Sequence, residues 1–215
     1  MSIFRRSPDA QRGKLAQKAP AGPLREYLSV PFPEPATPIQ ALKLLAIDLE
    51  TTGLDPAKDR LLSVGFVPID GNAVVLAGAR HLVIRQDAGS EVGQSATIHR
   101  LTDDELASGV ALPDALEATL AALRGRVLLA HHALVETGFL ARVCRAVYGA
   151  EPEFVVVDTM QLQFRLLTKG FDDEPPRGAL RLWAARGQFG MPVSYTHLRA
   201  HETDSYLVCR LLLEK

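Results

Sequence analysis

Two carboxylates close the apolar run Leu44-Leu45-Ala46-Ile47-Asp48-Leu49-Glu50, and the chain then turns at Thr51-Thr52-Gly53. Positions i and i+2 of a strand share a face, so Asp48 and Glu50 project together from the end of a segment that is otherwise greasy. Like charges held so close raise each other's pKa, and a bound divalent cation relieves the repulsion. Carboxylate oxygens suit hard ions such as Mg²⁺ or Mn²⁺, whose shells are completed by water and substrate phosphates. The plain alternative for an arbitrary Asp-x-Glu is a strand end where one acid caps the turn and the other is solvated. A second candidate lies at Val127-Leu128-Leu129-Ala130-His131-His132, a short buried strand ending in a histidine pair, followed by a helix with Glu136 in its first turn. An acid there faces back over the strand end and is favoured by the helix dipole, although a solvated first turn accounts for it equally well.

The elements that must position these groups are read from periodicity and turn chemistry. Leu61 to Ile69 and Ala73 to Ile84 are β-rich runs joined by Asp70-Gly71-Asn72, a hairpin signal, and with the Asp48 strand they make three neighbouring strands. Asp114 to Leu123 is a periodic helix opened by Pro113. Arg126 to Ala130 reads as a strand, Val135 to Val147 as a helix, Phe154 to Val157 as a strand and Thr159 to Leu167 as a helix, with Gly178 to Arg186 completing the pattern. An antiparallel start followed by β-α-β-α units fits a mixed sheet with helices on its faces.

Asp-x-Glu-Thr-Thr-Gly-Leu-Asp, from Asp48 to Asp55, resembles the first motif of the DEDD 3′–5′ exonucleases, the superfamily of the DNA polymerase III epsilon subunit and ribonuclease T. The resemblance implies an α/β fold, a ribonuclease H-like mixed five-stranded sheet flanked by helices. His131-His132 with Glu136 and Phe139-Leu140 is similar to the second motif, with His132 where asparagine is usual and Glu136 where a metal-binding aspartate is usual. Ile98-His99-Arg100-Leu101-Thr102 resembles a segment beside the substrate cleft, and Val157-Asp158-Thr159 resembles a Val-Asp-Thr in which Asp158 caps a helix. The family's last motif is His-x-Ala-x-x-Asp-Ala; here the chain offers His201 and Asp204, three apart instead of five, which on a helix still share a face.

Carried over residue by residue, the resemblance implies two Mg²⁺ (or Mn²⁺) held by Asp48, Glu50, Glu136 and Asp204, with His201 as general base. Thr51, Thr52, Gly53, Leu54, His99 and His132 would contact the substrate. The implied reaction is hydrolysis from the 3′ end of single-stranded DNA or RNA, releasing nucleoside monophosphates. Alternatives are an oligoribonuclease-type enzyme and a domain that holds a single-stranded end or a DNA polymerase without cutting. Ser194 to Lys215 also resembles a translated non-genomic peptide, which would have replaced the natural last motif.

Composition sets the outer limits. The chain has 215 residues, 47% hydrophobic, enough for one globular domain of ordinary size with an appendage. A net charge of −1 leaves no global basic field, so any nucleic-acid contact must be local and metal-assisted. Cys144 and Cys209 lack metal-ligand spacing and suggest a reducing compartment. With no bilayer-spanning apolar run and no signal-peptide region, a cytoplasmic protein without a membrane partner is expected. Residues 1–40, with Arg5, Arg6, Arg12, Lys14, Lys18 and Arg25 and then Pro31, Pro33, Pro35 and Pro38, read as a basic, Pro-rich, solvated extension ahead of a domain at 41–215, with Leu24 to Leu28 the one stretch suited to a short docked helix.

Overall fold

The computed structural model describes residues 8–86, 103–169 and 174–190. Its centre is a mixed sheet. Strand β1 (Lys43–Thr51) pairs antiparallel with β2 (Leu61–Asp70) on one side and parallel with β5 (Val127–Ala130) on the other, and β5 pairs parallel with β6 (Val156–Asp158). Two further strands, β3 (Ala73–Val74) and β4 (Arg80–Val83), both lie on the outer edge of β2. Helices α3 (Asp103–Ser108) and α4 (Leu112–Leu123) precede β5, α5 (Leu134–Tyr148) joins β5 to β6, and α6 (Thr159–Thr168) and α7 (Leu182–Gln188) follow. No helix among the described residues is long and apolar enough to cross a membrane.

Among the described residues the sheet therefore has six strands where the sequence suggests five. The run from Ala73 to Ile84 does not stay in the ladder: between the pairs Phe66↔Arg80 and Ile69↔Val74, β2 has only Val67 and Pro68 while the returning chain has residues 75–79. Pro68 has no N–H to donate, so the neighbouring chain detours through a 3₁₀ turn at Leu76–Gly78. Val75 N donates to the Pro68 carbonyl at 2.9 Å. The turn also lies flat on the proline, since a Cβ added to Gly78 would sit 2.6 Å from Pro68 Cγ.

β1 is buried on both faces, which is why it reads as a continuous apolar run. Leu45, Ile47 and Leu49 belong to the principal core with Leu116, Leu120, Phe139 and Leu140 of the covering helices. Leu44 and Ala46 point the other way, into a smaller cluster with Val67, Ile69, Val127 and Leu129. Asp48 and Glu50 continue this second face.

The N-terminal region differs from a solvated leader. Residues 8–29 form two helices, α1 (Pro8–Lys18) and α2 (Pro23–Ser29), and Leu24, Tyr27 and Leu28 are buried in the principal core. The Tyr27 ring lies 5.7 Å from that of Phe154. Arg12 ties α1 down by bonding the Leu28 carbonyl and Asp9, whose carboxylate in turn accepts from Phe32 N at 2.9 Å. Charge in α1 is thus spent on closing a helical hairpin, which composition alone cannot distinguish from solvation.

Candidate active site

Asp48 and Glu50 stand half-buried at the carboxyl end of β1, next to the carboxyl end of the parallel strand β5. In open α/β sheets this edge is where ligands bind. Gly65 lies opposite Asp48 and Ser63 opposite Glu50, so the neighbouring strand places no bulk against either acid. The buried Ser63 hydroxyl lies 3.1 Å from His81 Nε2 on β4. Neither Ser63 nor His81 stands out in the sequence. Their place depends on the register of β4, which the 3₁₀ detour sets.

Immediately after Glu50 the register shifts, with Thr51 opposite Leu61, and the bulge bends the chain out of the sheet. Residues 51–60 then form a loop closed by its own hydrogen bonds. Thr51 Oγ1 donates to Gly53 O at 2.6 Å and Thr52 Oγ1 to Asp59 Oδ1 at 3.2 Å. Asp55 N donates to Asp59 Oδ2 at 2.8 Å, and Thr52 Oγ1 accepts from Arg60 N at 2.9 Å. Asp59 is the organiser that the motif does not reveal. It also explains the glycine, because a Cβ at Gly53 would sit 2.5 Å from Asp59 Oδ2. Leu54, at the loop tip, is 74% exposed.

The second constellation forms at the corner from β5 to α5. His132 adopts a left-handed conformation, φ 71°, a region that favours Gly and tolerates Asn, Asp and His. The amides of His132 and Ala133 each donate to the Asp158 carboxylate at 3.1 Å, and Asp158 also accepts from Met160 N and Gln161 N as the cap of α6. Asp158 is therefore a structural knot between the two corners. His131 Nε2 donates to the Leu180 carbonyl at 2.8 Å, and its Nδ1 lies 2.9 Å from the Thr159 hydroxyl, which donates to the Ala130 carbonyl at 3.3 Å. Burial holds the His131 imidazole below its ordinary pKa, and the ring pins the segment leading into α7 through the Leu180 carbonyl.

Glu136 turns inward. It is 6% exposed, and its Oε2 is buried without a hydrogen-bond partner among the described residues. Burial pushes its pKa up to about 7, with smaller upward contributions from Asp48 and Asp158 and an opposing one from its own backbone amide. The fold thus brings Glu136 within electrostatic reach of Asp48 from a different element. All three donors, Asp48, Glu50 and Glu136, are carboxylates, and the orphaned oxygen is the feature a hard cation would satisfy. Among the described residues no group of three or more His, Cys, Asp or Glu side chains is gathered so as to hold a metal ion. His99, His201 and Asp204 lie outside the described residues.

A model of the exonuclease family, RNase T, matches residues 45–202, from inside β1 to beyond α7. The chain belongs to the exonuclease family. This exonuclease-family chain is 32% identical over 164 residues to an oligoribonuclease of Streptomyces griseus, covering 74% of itself and 77% of that protein. It is 30% identical over 124 residues to a PolC-type DNA polymerase III of Thermotoga maritima, covering 57% of itself and 9% of the polymerase, so it spans less than a tenth of that relative. Its fold is shared with E. coli exonuclease I solved in complex with a dT13 oligonucleotide, at a TM-score of 0.62 and 14% identity over 80% of this chain and 40% of the other. The DEDD resemblance and the ribonuclease H-like architecture both hold.

Proposed function

We propose that this chain is a divalent-metal-dependent 3′–5′ exonuclease acting on single-stranded nucleic acid and releasing nucleoside monophosphates. The observation that carries the reading is the buried Glu136 carboxylate at the start of α5, with an orphaned oxygen among the described residues and within electrostatic reach of Asp48. Asp48, Glu50 and Glu136 would hold Mg²⁺ or Mn²⁺, with Asp204 as a further ligand. When bound, such ions supply Lewis acidity toward the phosphodiester and acidify a water nucleophile.

The chain's own residues do the rest. Glu136 must be ionised to bind a cation, so loading is favoured at and above neutral pH. His201 is the proposed acceptor of the nucleophile's proton. The 51–60 loop, rigid through its internal bonds, presents Leu54 as an apolar surface for the terminal base, with Thr51, Thr52, Gly53, His99 and His132 around the strand end. Single-stranded DNA bound to exonuclease I and the oligoribonuclease relative support both polymers as candidates, and the PolC-type relative supports a polymerase partner. With free Cys144 buried, a reducing, cytoplasmic setting is proposed.

The test is digestion of 5′-labelled DNA and RNA oligonucleotides by the purified chain with Mn²⁺, beside Asp48→Ala. A ladder shortening from the 3′ end and absent in the variant is expected. The three-residue spacing of His201 and Asp204 favours a second reading, a domain that binds a single-stranded end without cutting. No ladder from either protein, with oligonucleotide binding retained in an anisotropy titration, would select that reading.

A further inference from the structure

Glu136 is buried in the first turn of α5. On another side of the same helix lies the 51–60 loop. Gly138 follows Glu136 by two positions, which places it roughly 200° around the helix, nearly opposite Glu136. A Cβ added to Gly138 would meet Pro56 Cγ at 2.8 Å and Cβ at 3.7 Å. One turn further along the same ridge, the Arg142 guanidinium donates to the Pro56 carbonyl. Its charge also faces Asp55, whose carboxyl is held low first by the Ala57 amide, then by Lys58 and in smaller part by Arg142. Glycine in a helix interior costs about 1 kcal/mol relative to alanine, so a glycine here needs a reason, and the close approach of Pro56 supplies it.

We infer that Pro56, Gly138 and Arg142 form a positioning clamp that fixes the Glu136 helix against the loop of the Asp48–Glu50 strand, so that Gly138 and Arg142 set divalent-metal affinity without touching the metal. This rests on the reading of Glu136 as a metal-holding residue. The clamp connects the two motifs at their backs, where neither motif shows a chemical group.

The test is Mn²⁺ binding by the full chain, followed by electron paramagnetic resonance, together with thermal melts in EDTA. Arg142→Met and Gly138→Ala are expected to weaken Mn²⁺ binding about 10-fold, the lower end of what outer-shell changes cost, while Arg142→Lys recovers most of the loss. The melting temperature should move little for Arg142→Met, a divergence that general loosening of the fold would not give, and should fall for Gly138→Ala, whose Cβ must displace Pro56. If Gly138→Ala does not fold, Arg142→Met decides alone. Glu136→Gln is the control for the underlying reading. Weakened binding in that control with unchanged binding in Arg142→Met and Gly138→Ala overturns the clamp alone. Unchanged binding in Glu136→Gln, or no binding by the parent chain, overturns the ligand reading and the clamp with it.

Discussion

The two ends of the sheet are built on opposite terms. Where β5 and β6 begin, α2 lays Leu24, Tyr27 and Leu28 over the core, Tyr27 meets Phe154, and a Cβ at Gly125 would meet only Val30 at 3.5 Å. Where β1 and β5 finish, Glu136 feels the charge of Asp48, its Oε2 is buried without a partner among the described residues, and His132 holds a left-handed backbone. One end gathers stabilising burial and the other gathers unfavourable charge and conformation. Packing elsewhere offsets the electrostatics of this edge, and the N-terminal hairpin belongs to that packing.

The hardest test of this contrast is at the closed end. Tyr27→Ala should destabilise the chain by about 3–5 kcal/mol, the usual cost of emptying a large buried aromatic site, seen as a lower urea midpoint. Mn²⁺ affinity of the folded variant should be unchanged. A loss below about 1 kcal/mol would show that α2 is not part of the core.

At the open end the expected sign reverses. Glu136 has a folded pKa of about 7, raised above the ordinary carboxylate value, so its contribution is full below the unfolded pKa and is lost as pH rises through 7. In EDTA the parent should therefore lose stability between about pH 5 and pH 8. Glu136→Gln removes that slope and should be more stable than the parent at pH 8 by roughly 1–3 kcal/mol, measured by denaturant melts across the range. Equal slopes in parent and variant would remove Glu136 from the strained end.

Asp158 joins the two corners of the open end. Asp158→Ala should cost about 1–2 kcal/mol through loss of the α6 cap and of the bonds from His132 and Ala133. Hydrogen exchange should quicken at those amides, whereas a purely local cap would leave His132 and Ala133 protected. The smallest effect is expected at His132. His132→Asn should be neutral, and His132→Val should cost about 1 kcal/mol because a β-branched residue resists the left-handed region. Equal stability of the two would show that the corner relaxes out of that conformation.

The elements that sequence reading locates best are those with one dominant local cause. The helix expected over 114–123 begins at Leu112 with Pro113 in its first turn, and that expected over 135–147 spans Leu134–Tyr148 and stops at Gly149, whose φ of 71° ends it. Thr159 begins α6 because Asp158 caps it. The run from Ala73 to Ile84 misleads because a proline on the neighbouring strand, not a residue of its own, breaks it. The basic N-terminus misleads because a sum of charges does not show that Arg12 bonds the Leu28 carbonyl. The acid pair was singled out by types and spacing, and Glu136 by the family resemblance. Asp59, Ser63, His81, Gly138 and Arg142 were not, since each acts on a partner from another stretch of chain or across a loop.

By itself the sequence determined the carboxylate chemistry placed at the end of β1. A strand alternates strictly, so Asp48 and Glu50 must share a face, and carboxylates admit only a narrow class of ligand. Tertiary structure alone decided how that chemistry is held: the burial that lifts Glu136 to about 7, the loop that lies on Gly138, and the helices that close the far end. Spacing along a chain fixes only neighbours within one element, whereas desolvation and close packing depend on which distant segments fold on top of them.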